Sequence, residues 1–476
     1  MRKPKNFDVA ILGSGSTAAA ATAVARDLNK TVLLTEERLL GGTCLNYGCI
    51  PSKFLIEAAK TYFTMRRPRF DGIHCKDATL SFENLIQQKD AIIRDYRRKK
   101  RDTVFDDDST FLARGHAQFL DHHTIDVDGK RYTAEKFLIA TGSRPHVPEI
   151  EGLSPSKFLT SDLLTCDESE ELKTLPESMV ILGTGYIALE LGQTFARFGT
   201  KVTIIGRGER LLSHGYEPEA GDILQTVLED EGITVLVNSN VKSVSGSRKT
   251  GFTVNLVRQG KKVSLKTAEI LVATGRQPNA GGIAADAAGV ELADKGYVKV
   301  DEYLRTSAVH IFAAGDVIGP EHGNQMATPV GVIDAKLAMH NAFSEVGAQA
   351  VDHKYIPRCI FSDPEVAVVG LTEAQAKEAG HSYEVRSMPL SNVSRAVLMQ
   401  HTDGNIKIIS NSTNQEILGA TIVAPGAGDI IHVVSMAMRM NAQLSDLAEM
   451  LYVYPSISEG VKYAARSDAD SEHVVE

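Results

Sequence analysis

One segment of this chain occurs twice. Displaced by 170 positions, Val9-Ala10-Ile11-Leu12-Gly13-Ser14-Gly15-Ser16-Thr17-Ala18 falls on Met179-Val180-Ile181-Leu182-Gly183-Thr184-Gly185-Tyr186-Ile187-Ala188 and matches it in kind throughout. Each copy reads as a β-branched strand, a Gly-x-Gly-x-x-Ala turn closed by Ala18 or Ala188, a helix-forming stretch and a second strand. That second strand is Thr31 to Thr35 in one copy and Lys201 to Ile205 in the other. In a βαβ unit of this kind the paired glycines, Gly13 and Gly15 or Gly183 and Gly185, permit a tight turn. They also bring backbone N–H groups and a helix N-terminus onto a pyrophosphate. A single such motif says little, but two in register with their flanking strands predict two dinucleotide sites.

A second echo sets Ala140-Thr141-Gly142-Ser143-Arg144-Pro145 against Ala273-Thr274-Gly275-Arg276-Gln277-Pro278, each after an apolar strand, Phe137 to Ile139 and Ile270 to Val272. Each Thr-Gly reads as a strand ending where the backbone crosses between units. Together they bracket an insert of about 130 residues, an ordinary domain size. The predicted fold is therefore α/β, with two Rossmann-like dinucleotide-binding domains, one inserted in the other. The first is residues 1–150 with 273–348 and the second is 151–272. From 349 to 476 the pattern changes to alternating strands, Asn405 to Ile409 and Leu418 to Val423, then a helical run from Gly428 to Met440. That is a third, α+β domain without a nucleotide signature.

Composition narrows the chemistry. A formal charge of -9 opposes nucleic-acid and anionic-membrane partners. No apolar run is long enough for a membrane span, and Met1-Arg2-Lys3 leads only into the short strand-like Phe7 to Leu12, so a cytoplasmic protein is expected. Five cysteines are too few for a secreted disulfide framework in 476 residues. The close pair, Cys44 and Cys49, reads as redox or metal chemistry. A metal site would want further Cys or His ligands at short spacing, whereas Cys75, Cys166 and Cys359 stand alone and read as structural thiols, so no metal site is expected. Cysteines five apart on a regular helix are too distant to bridge, because a disulfide needs Cα atoms within about 7 Å. A distorted helix start, allowed by Gly48, would bring them together. Lys53, four residues after Cys49, would share its helical face and place a positive charge near a thiolate.

The segment Gly41-Gly42-Thr43-Cys44-Leu45-Asn46-Tyr47-Gly48-Cys49-Ile50-Pro51-Ser52-Lys53, together with Ala313-Ala314-Gly315-Asp316-Val317, resembles the flavoprotein disulfide reductases, and the likeness covers nearly the whole chain. Within that family it leans toward mercuric reductase, through Phe361-Ser362-Asp363-Pro364-Glu365-Val366-Ala367, Asn392-Val393-Ser394-Arg395-Ala396 and Glu459-Gly460-Val461-Lys462, and then toward lipoamide dehydrogenase. The resemblance implies FAD, a nicotinamide, a C-terminal dimerisation domain and a homodimer. It also implies an electron relay from nicotinamide to flavin to a Cys44–Cys49 disulfide and on to an acceptor. By that resemblance Cys49 is the charge-transfer thiol, Cys44 the interchange thiol, Lys53 pairs with Glu190, Tyr186 covers the flavin, and Asp316 holds its ribityl chain. Gly42, Thr43, Thr141, Gly142 and Gly275 would line the nucleotide sites.

Glu36 ends the second strand of the first unit, where an acid accepts hydrogen bonds from an adenosine ribose, which assigns that unit to FAD. In the second unit the equivalent position is Gly206, followed by Arg207 and Arg210. Loss of the acid and gain of arginine favours a 2′-phosphate, hence NADPH over NADH. The family pattern breaks near the C-terminus. Lipoamide and glutathione reductases place a His-Pro…Glu pair there, and this chain has Tyr454-Pro455-Ser456-Ile457-Ser458-Glu459. Tyrosine titrates near 10 rather than about 6.5 and is a poor proton shuttle at neutral pH. Mercuric reductases carry tyrosine at that place and a C-terminal cysteine pair that delivers the metal, but residues 460 to 476 contain no cysteine. The expected acceptor is a small disulfide or lipoyl-type dithiol couple, with thiol-bound Hg(II) as an alternative. The alternative of another class is a flavin-binding redox sensor or complex subunit.

Overall fold

The computed structural model describes residues 5–320, 325–344 and 347–466. The chain opens with β1 (Lys5–Leu12), α1 (Ser16–Asp27) and β2 (Val32–Glu36), then α2 (Gly42–Asn46), α3 (Cys49–Arg66) and α4 (Phe82–Lys100). Next come β3 (Thr110–Arg114), β4 (Ala117–Asp121), β5 (Thr124–Val127), β6 (Lys130–Ile139) and the short β7 (Ser143–Pro145). The sheet runs β3-β2-β1-β6-β5-β4. Its β3-β2-β1-β6 half is parallel and β6-β5-β4 is an antiparallel meander. Strands β1 and β2 read as continuous apolar runs because both faces of a parallel sheet are covered by helices. Val9, Ile11, Leu12 and Leu33 are fully buried.

The second unit repeats the plan with β8 (Ser178–Leu182), α5 (Tyr186–Phe198), β9 (Lys201–Ile205), α6 (Pro218–Asp230) and β10 (Thr234–Leu236). A three-stranded antiparallel layer follows, β11 (Ser239–Ser247), β12 (Gly251–Arg258) and β13 (Lys261–Thr267), and then β14 (Glu269–Val272) returns beside β8. The repeat read from the sequence is physical. Leu12 pairs with Thr35 in the first sheet, and Leu182 pairs with Ile205 in the second, each residue displaced by the same 170 positions. Leu12 also faces Ile139 and Leu182 faces Val272, so both crossings leave from equivalent strand ends. There β7 pairs antiparallel with β15 (Arg276–Pro278), and the chain re-enters the first sheet as β16 (Ile311–Ala313) against β6.

After α7 (Thr328–Phe343) a five-stranded sheet is built in the order β17-β18-β21-β20-β19 from β17 (Arg358–Ile360), β18 (Glu365–Gly370), β19 (Tyr383–Pro389), β20 (Asn405–Asn411) and β21 (Ile417–Ala424). Short helices α8 (Glu373–Glu378) and α9 (Ser394–Leu398) interrupt it, and α10 (Ala427–Arg439), α11 (Leu444–Glu449) and α12 (Glu459–Arg466) follow. All of β21 is buried. The opposite holds at one edge of this unit, where Leu451 is 93% and Val453 79% exposed, beside exposed Met436, Met440 and Tyr454. Large apolar side chains left this exposed within one unit point to a surface covered in an assembly. Among the described residues no helix is long and apolar enough to cross a membrane.

Candidate active site

The first glycine-rich turn is a cradle in which backbones nearly touch. Gly13 sits at φ +107°, and a Cβ there would lie 2.5 Å from the carbonyl oxygen of Ala140. A Cβ on Gly42 would lie 2.5 Å from the Cα of Gly15. Larger residues would fill the space through which a pyrophosphate reaches the N-terminus of α1. Glu36 is held at the end of β2, where Oε2 accepts from the Ser14 hydroxyl at 2.6 Å and Oε1 from the Arg38 N–H at 2.8 Å. A cavity of about 320 Å³ opens beside it, lined by Gly13, Thr35, Glu36, His116, Thr141 and Asn279, among others. The Thr141 hydroxyl is buried with no hydrogen-bond partner among the described residues. A buried orphan hydroxyl, an acid at the strand end and a glycine cradle together fit a bound adenine dinucleotide. Further along the cleft Asp316 accepts from the Ser143 hydroxyl at 2.6 Å, and Arg276 donates to the same hydroxyl at 2.7 Å. Burial pushes the Asp316 carboxyl up, and Ser143 and Arg276 oppose that.

The cysteines face each other across a break in the helix. α2 stops at Asn46, Tyr47-Gly48 turns the chain, and α3 restarts at Cys49. A Cβ on Gly48 would meet the Thr43 carbonyl oxygen at 3.3 Å, so the turn closes tightly on α2. Tyr47 anchors it, its hydroxyl donating to Glu168 at 3.0 Å while Arg38 lies over its ring. Cys44 and Cys49 stand here as free thiols. Cys44 is lowered to about 6, chiefly by the hydrogen bond from Cys49 and against its burial, with help from the Thr328 hydroxyl and the charges of Lys100 and Lys53. Cys49, holding its proton next to a thiolate, is pushed up by the Cys44 hydrogen bond and by burial. Two coupled thiols thus yield one thiolate near neutral pH.

From α3, Lys53 reaches α5 and donates to both carboxylate oxygens of Glu190, at 3.1 and 2.9 Å. Glu190 is buried and takes a third hydrogen bond from the Phe361 N–H at 2.9 Å, while the Lys53 ammonium also lies 4.5 Å from the centre of the Phe361 ring. The second glycine turn mirrors the first, with Gly183 at φ +125° and a Cβ there only 2.2 Å from the Ala273 carbonyl oxygen. Gly185 opens onto free space, and Tyr186 at the start of α5 is 45% exposed, its hydroxyl pushed up to about 12 by desolvation and the nearby Asp316 and Glu190 carboxylates, against Arg276. A Cβ on Gly206 would lie 2.2 Å from the Thr184 methyl, so no acid can sit at that strand end unless Thr184 moves. Arg207 is exposed and Arg210 half-buried, and among the described residues neither pairs with a carboxylate.

Cys44, Cys49, Lys53 and Glu190 therefore come together at one place, with Tyr186 on the helix that carries Glu190. Tyr454 and Glu459 do not join them within one chain. Tyr454 is 66% exposed on the apolar edge of the third unit. Glu459 is buried, capped by the Ser456 N–H at 3.4 Å and the Tyr463 hydroxyl at 3.2 Å. The sequence reading missed Thr328, whose hydroxyl lies 3.9 Å from Cys49 Sγ, and also Lys100 and Phe361. The signals were present in part, since Phe361 opens a quoted motif and Thr328 precedes the proline that starts α7.

The family models that match are the pyridine nucleotide-disulphide oxidoreductase domain over residues 7–335 and the dimerisation domain of the same enzymes over 356–465. A mercuric reductase of Streptomyces lividans is 35% identical over 467 residues, which is 97% of this chain and 96% of that protein. A dihydrolipoyl dehydrogenase of Geobacillus stearothermophilus is 31% identical over 96% of this chain and 94% of its own. Among solved structures, the Cu(II) complex of the HOCl-induced flavoprotein disulfide reductase RclA from Escherichia coli superposes with a TM-score of 0.84 at 28% identity, covering 97% of this chain and 99% of that one.

Proposed function

The chain belongs to the pyridine nucleotide-disulphide oxidoreductases, FAD-dependent enzymes that work as homodimers, and from that we propose that it passes electrons from NADPH through Cys44 and Cys49 to a small disulfide. The observation that carries this reading is the pair of free thiols, Cys44 and Cys49, on either side of the helix break, with Lys53 on the same helix as Cys49 held by Glu190. FAD, when bound, supplies the two-electron carrier between the nicotinamide and the cysteines. Gly13, Gly15, Ala18, Gly42 and Thr43 would hold its pyrophosphate, Glu36 its ribose, Asp316 its ribityl chain, and Thr141 and Gly142 the strand end above it. Gly183, Gly185 and Gly275 would frame the nicotinamide nucleotide, with Arg207 and Arg210 on its 2′-phosphate.

In the reduced enzyme the Cys44 thiolate attacks the acceptor R–S–S–R, forming a mixed disulfide and releasing one RS⁻, which takes a proton from solvent. Cys49 then gives its proton to solvent and attacks the Cys44 sulfur of the mixed disulfide, expelling the second RS⁻, which is protonated by solvent, and closing the Cys44–Cys49 disulfide. Two electrons leave in each cycle, and NADPH restores them. Lys53, neutralised by Glu190 yet close to both thiols, favours the thiolate without fixing a full charge on the sulfur. No imidazole stands at 454 to receive the proton, so the exchange relies on the already ionised Cys44.

That same absence favours a second reading, a thiophilic metal cation as acceptor, since reducing such a cation needs no proton at 454. The mercuric reductase relatives and the Cu(II) complex of RclA support it. The discriminating experiment is anaerobic NADPH oxidation with glutathione disulfide, lipoamide, cystine, Hg(II) in excess thiol and Cu(II). Fast turnover with a disulfide alone supports the first reading, turnover with a cation alone supports the second, and oxidation of NADPH by none of them refutes both.

A further inference from the structure

Behind the acid that ends β2 stands a second one, Glu37, turned to the outer wall of the same cavity. His116, between β3 and β4, bridges from it to the loop after β15. Its Nδ1 lies 2.6 Å from Glu37 Oε2 and its Nε2 lies 2.8 Å from the Gly282 carbonyl oxygen. A carboxylate and a carbonyl both accept, so an imidazole serving both must donate from both nitrogens, which makes it an imidazolium. The backbone beneath is held as well. The His116 N–H donates to Asp128 Oδ1 at 3.2 Å, and the Asp128 carboxylate packs so closely under Gly115 that a Cβ there would meet it at 2.3 Å. Three segments far apart in sequence, at 37, 116 and 282, are thus tied by one ring on the rim of the cavity of about 320 Å³ that Gly13, Thr35, Glu36 and Thr141 also line.

We propose that His116 is a protonation-dependent clasp that retains the adenosine end of FAD, a positioning residue rather than a catalytic one. The inference rests on assigning the first nucleotide cradle to FAD. With the imidazolium present, Glu37 is neutralised and its segment is pinned to the Gly281-Gly282 loop, which closes the outer wall of the cavity. With a neutral ring, only one of the two bonds can form in its present sense, and the uncompensated Glu37 carboxylate adds negative charge beside a site for a pyrophosphate ligand. The charged groups facing the ring are Glu37 from the end of β2 and Asp128 from the β5–β6 turn; the Gly281-Gly282 loop carries none. Across the cavity Glu36 is held by Ser14 and Arg38, and Arg144 by the Pro278 carbonyl and Asn279 side chain. The Gly282 carbonyl and Glu37 raise the His116 pKa above its ordinary value, against some burial. The clasp is therefore complete at low pH and is lost as pH rises through that raised value.

The test is the rate at which oxidised holoenzyme releases FAD, read as the gain of free-flavin fluorescence on dilution, at about pH 6 and about pH 9. In the oxidised enzyme Cys44 and Cys49 are a disulfide and do not titrate in this window. Wild type should release FAD about three- to fivefold faster at the higher pH, the reach of a half-exposed ion pair. His116→Gln should release it fast at both pH values, His116→Lys, which keeps a cation, should be slow at both, and Glu37→Gln, whose amide can meet either form of the ring and carries no charge, should lose the pH dependence. Release from wild type that does not change with pH, or a His116→Gln protein that keeps the wild-type pH dependence, overturns the clasp. A protein that binds no FAD under any condition overturns the cofactor assignment beneath it instead.

Discussion

If the hydrogen bond from Cys49 is what ionises Cys44, replacing Cys49 with alanine must remove most of the effect while Lys53 and Lys100 stay in place. The thiol is lowered from 9.0 to about 6, with the Cys49 hydrogen bond the largest favourable cause and the Thr328 hydroxyl, Lys100 and Lys53 smaller ones. A hydrogen bond to a charged acceptor is worth about 1.5–3 kcal/mol, or about one to two pKa units at 1.36 kcal/mol per unit. Cys49→Ala should thus move the Cys44 midpoint up by one to two units and slow its alkylation at neutral pH about fivefold. Lys53→Met and Lys100→Met should each move it by less than about one unit, because both act through partly solvated space. The assay is the rate of iodoacetamide alkylation of Cys44 against pH, followed by mass spectrometry of its peptide, in NADPH-reduced wild type under anaerobic conditions and in the variants. A Cys49→Ala protein that still ionises near pH 6, or a lysine variant that shifts the midpoint further than Cys49→Ala does, would refute the assignment of causes.

Cys49→Ser should abolish the long-wavelength thiolate-to-flavin charge-transfer band that limiting reductant raises in the yellow wild type if the thiolate charge passes from Cys44 to Cys49 once FAD is bound, and a band that survives leaves that charge on Cys44. Arg207→Glu should cost a charge-assisted contact of about 1.5–3 kcal/mol, a shift of about ten- to hundredfold in the NADPH:NADH ratio of kcat/KM; wild type preferring NADH contradicts the reading. Tyr454→His should speed dihydrolipoamide oxidation near neutral pH by supplying a group of matched pKa, and no gain means another residue already takes the proton. Leu451→Asp should drive the dimer toward monomer in light scattering, and an unchanged dimer would place the interface away from this edge.

The backbone of this site was legible because its geometry is local. The turns at Gly13 and Gly183 place close backbone approaches where a glycine is required, and the same spacing recurs 170 residues on. The cysteines were legible as a pair because Gly48 sits between them. Lys53 and Glu190 are different, since their contact joins α3 to α5 across 137 residues and spacing gives the face of each helix but not its partner. Only the family resemblance named that pair beforehand. Thr328, Phe361 and His116 could not be placed at the site from the sequence, because the position of each is set by how separate units pack. The run Arg97-Arg98-Lys99-Lys100-Arg101 looks uniform in the sequence, yet the fold divides it. Arg97 turns inward to Asn46 and Asp167, Arg98 and Lys99 pair with Asp95 at the surface, and Lys100 turns inward to the Gly41 carbonyl at 3.4 Å.

One helix face links the nucleotide, the thiols and the third unit. On α5, Tyr186, Glu190, Gln193 and Arg197 follow at spacings of four, three and four, so they share a side. Tyr186 stands at the nucleotide glycines and Glu190 holds Lys53. Gln193 donates to the Asp363 carbonyl at 2.9 Å and accepts its N–H at 2.8 Å, while Arg197 bridges Glu231 at 2.6 Å and Asp363 at 2.9 Å. Asp363 also takes His401 at 2.8 Å, from the third unit. The Arg197 and His401 bonds hold the Asp363 carboxyl far below the usual carboxylate range despite its burial. Burying so many charges costs desolvation that their mutual attraction only partly offsets, so the network is weak evidence for added stability. Its consequence is registry. An ion network satisfied in one arrangement fixes how far α5 stands from the third unit, and Glu190 then fixes Lys53, and with it the start of α3, against that frame. A shift of α5 by one turn would take Arg197 away from Asp363 and leave its buried guanidinium short of a partner, while Asp363 kept His401, at a cost of about 3–5 kcal/mol for the broken pair. The position of α5, and with it the distance from the second glycine turn to Cys44 and Cys49, is set by residues that touch neither.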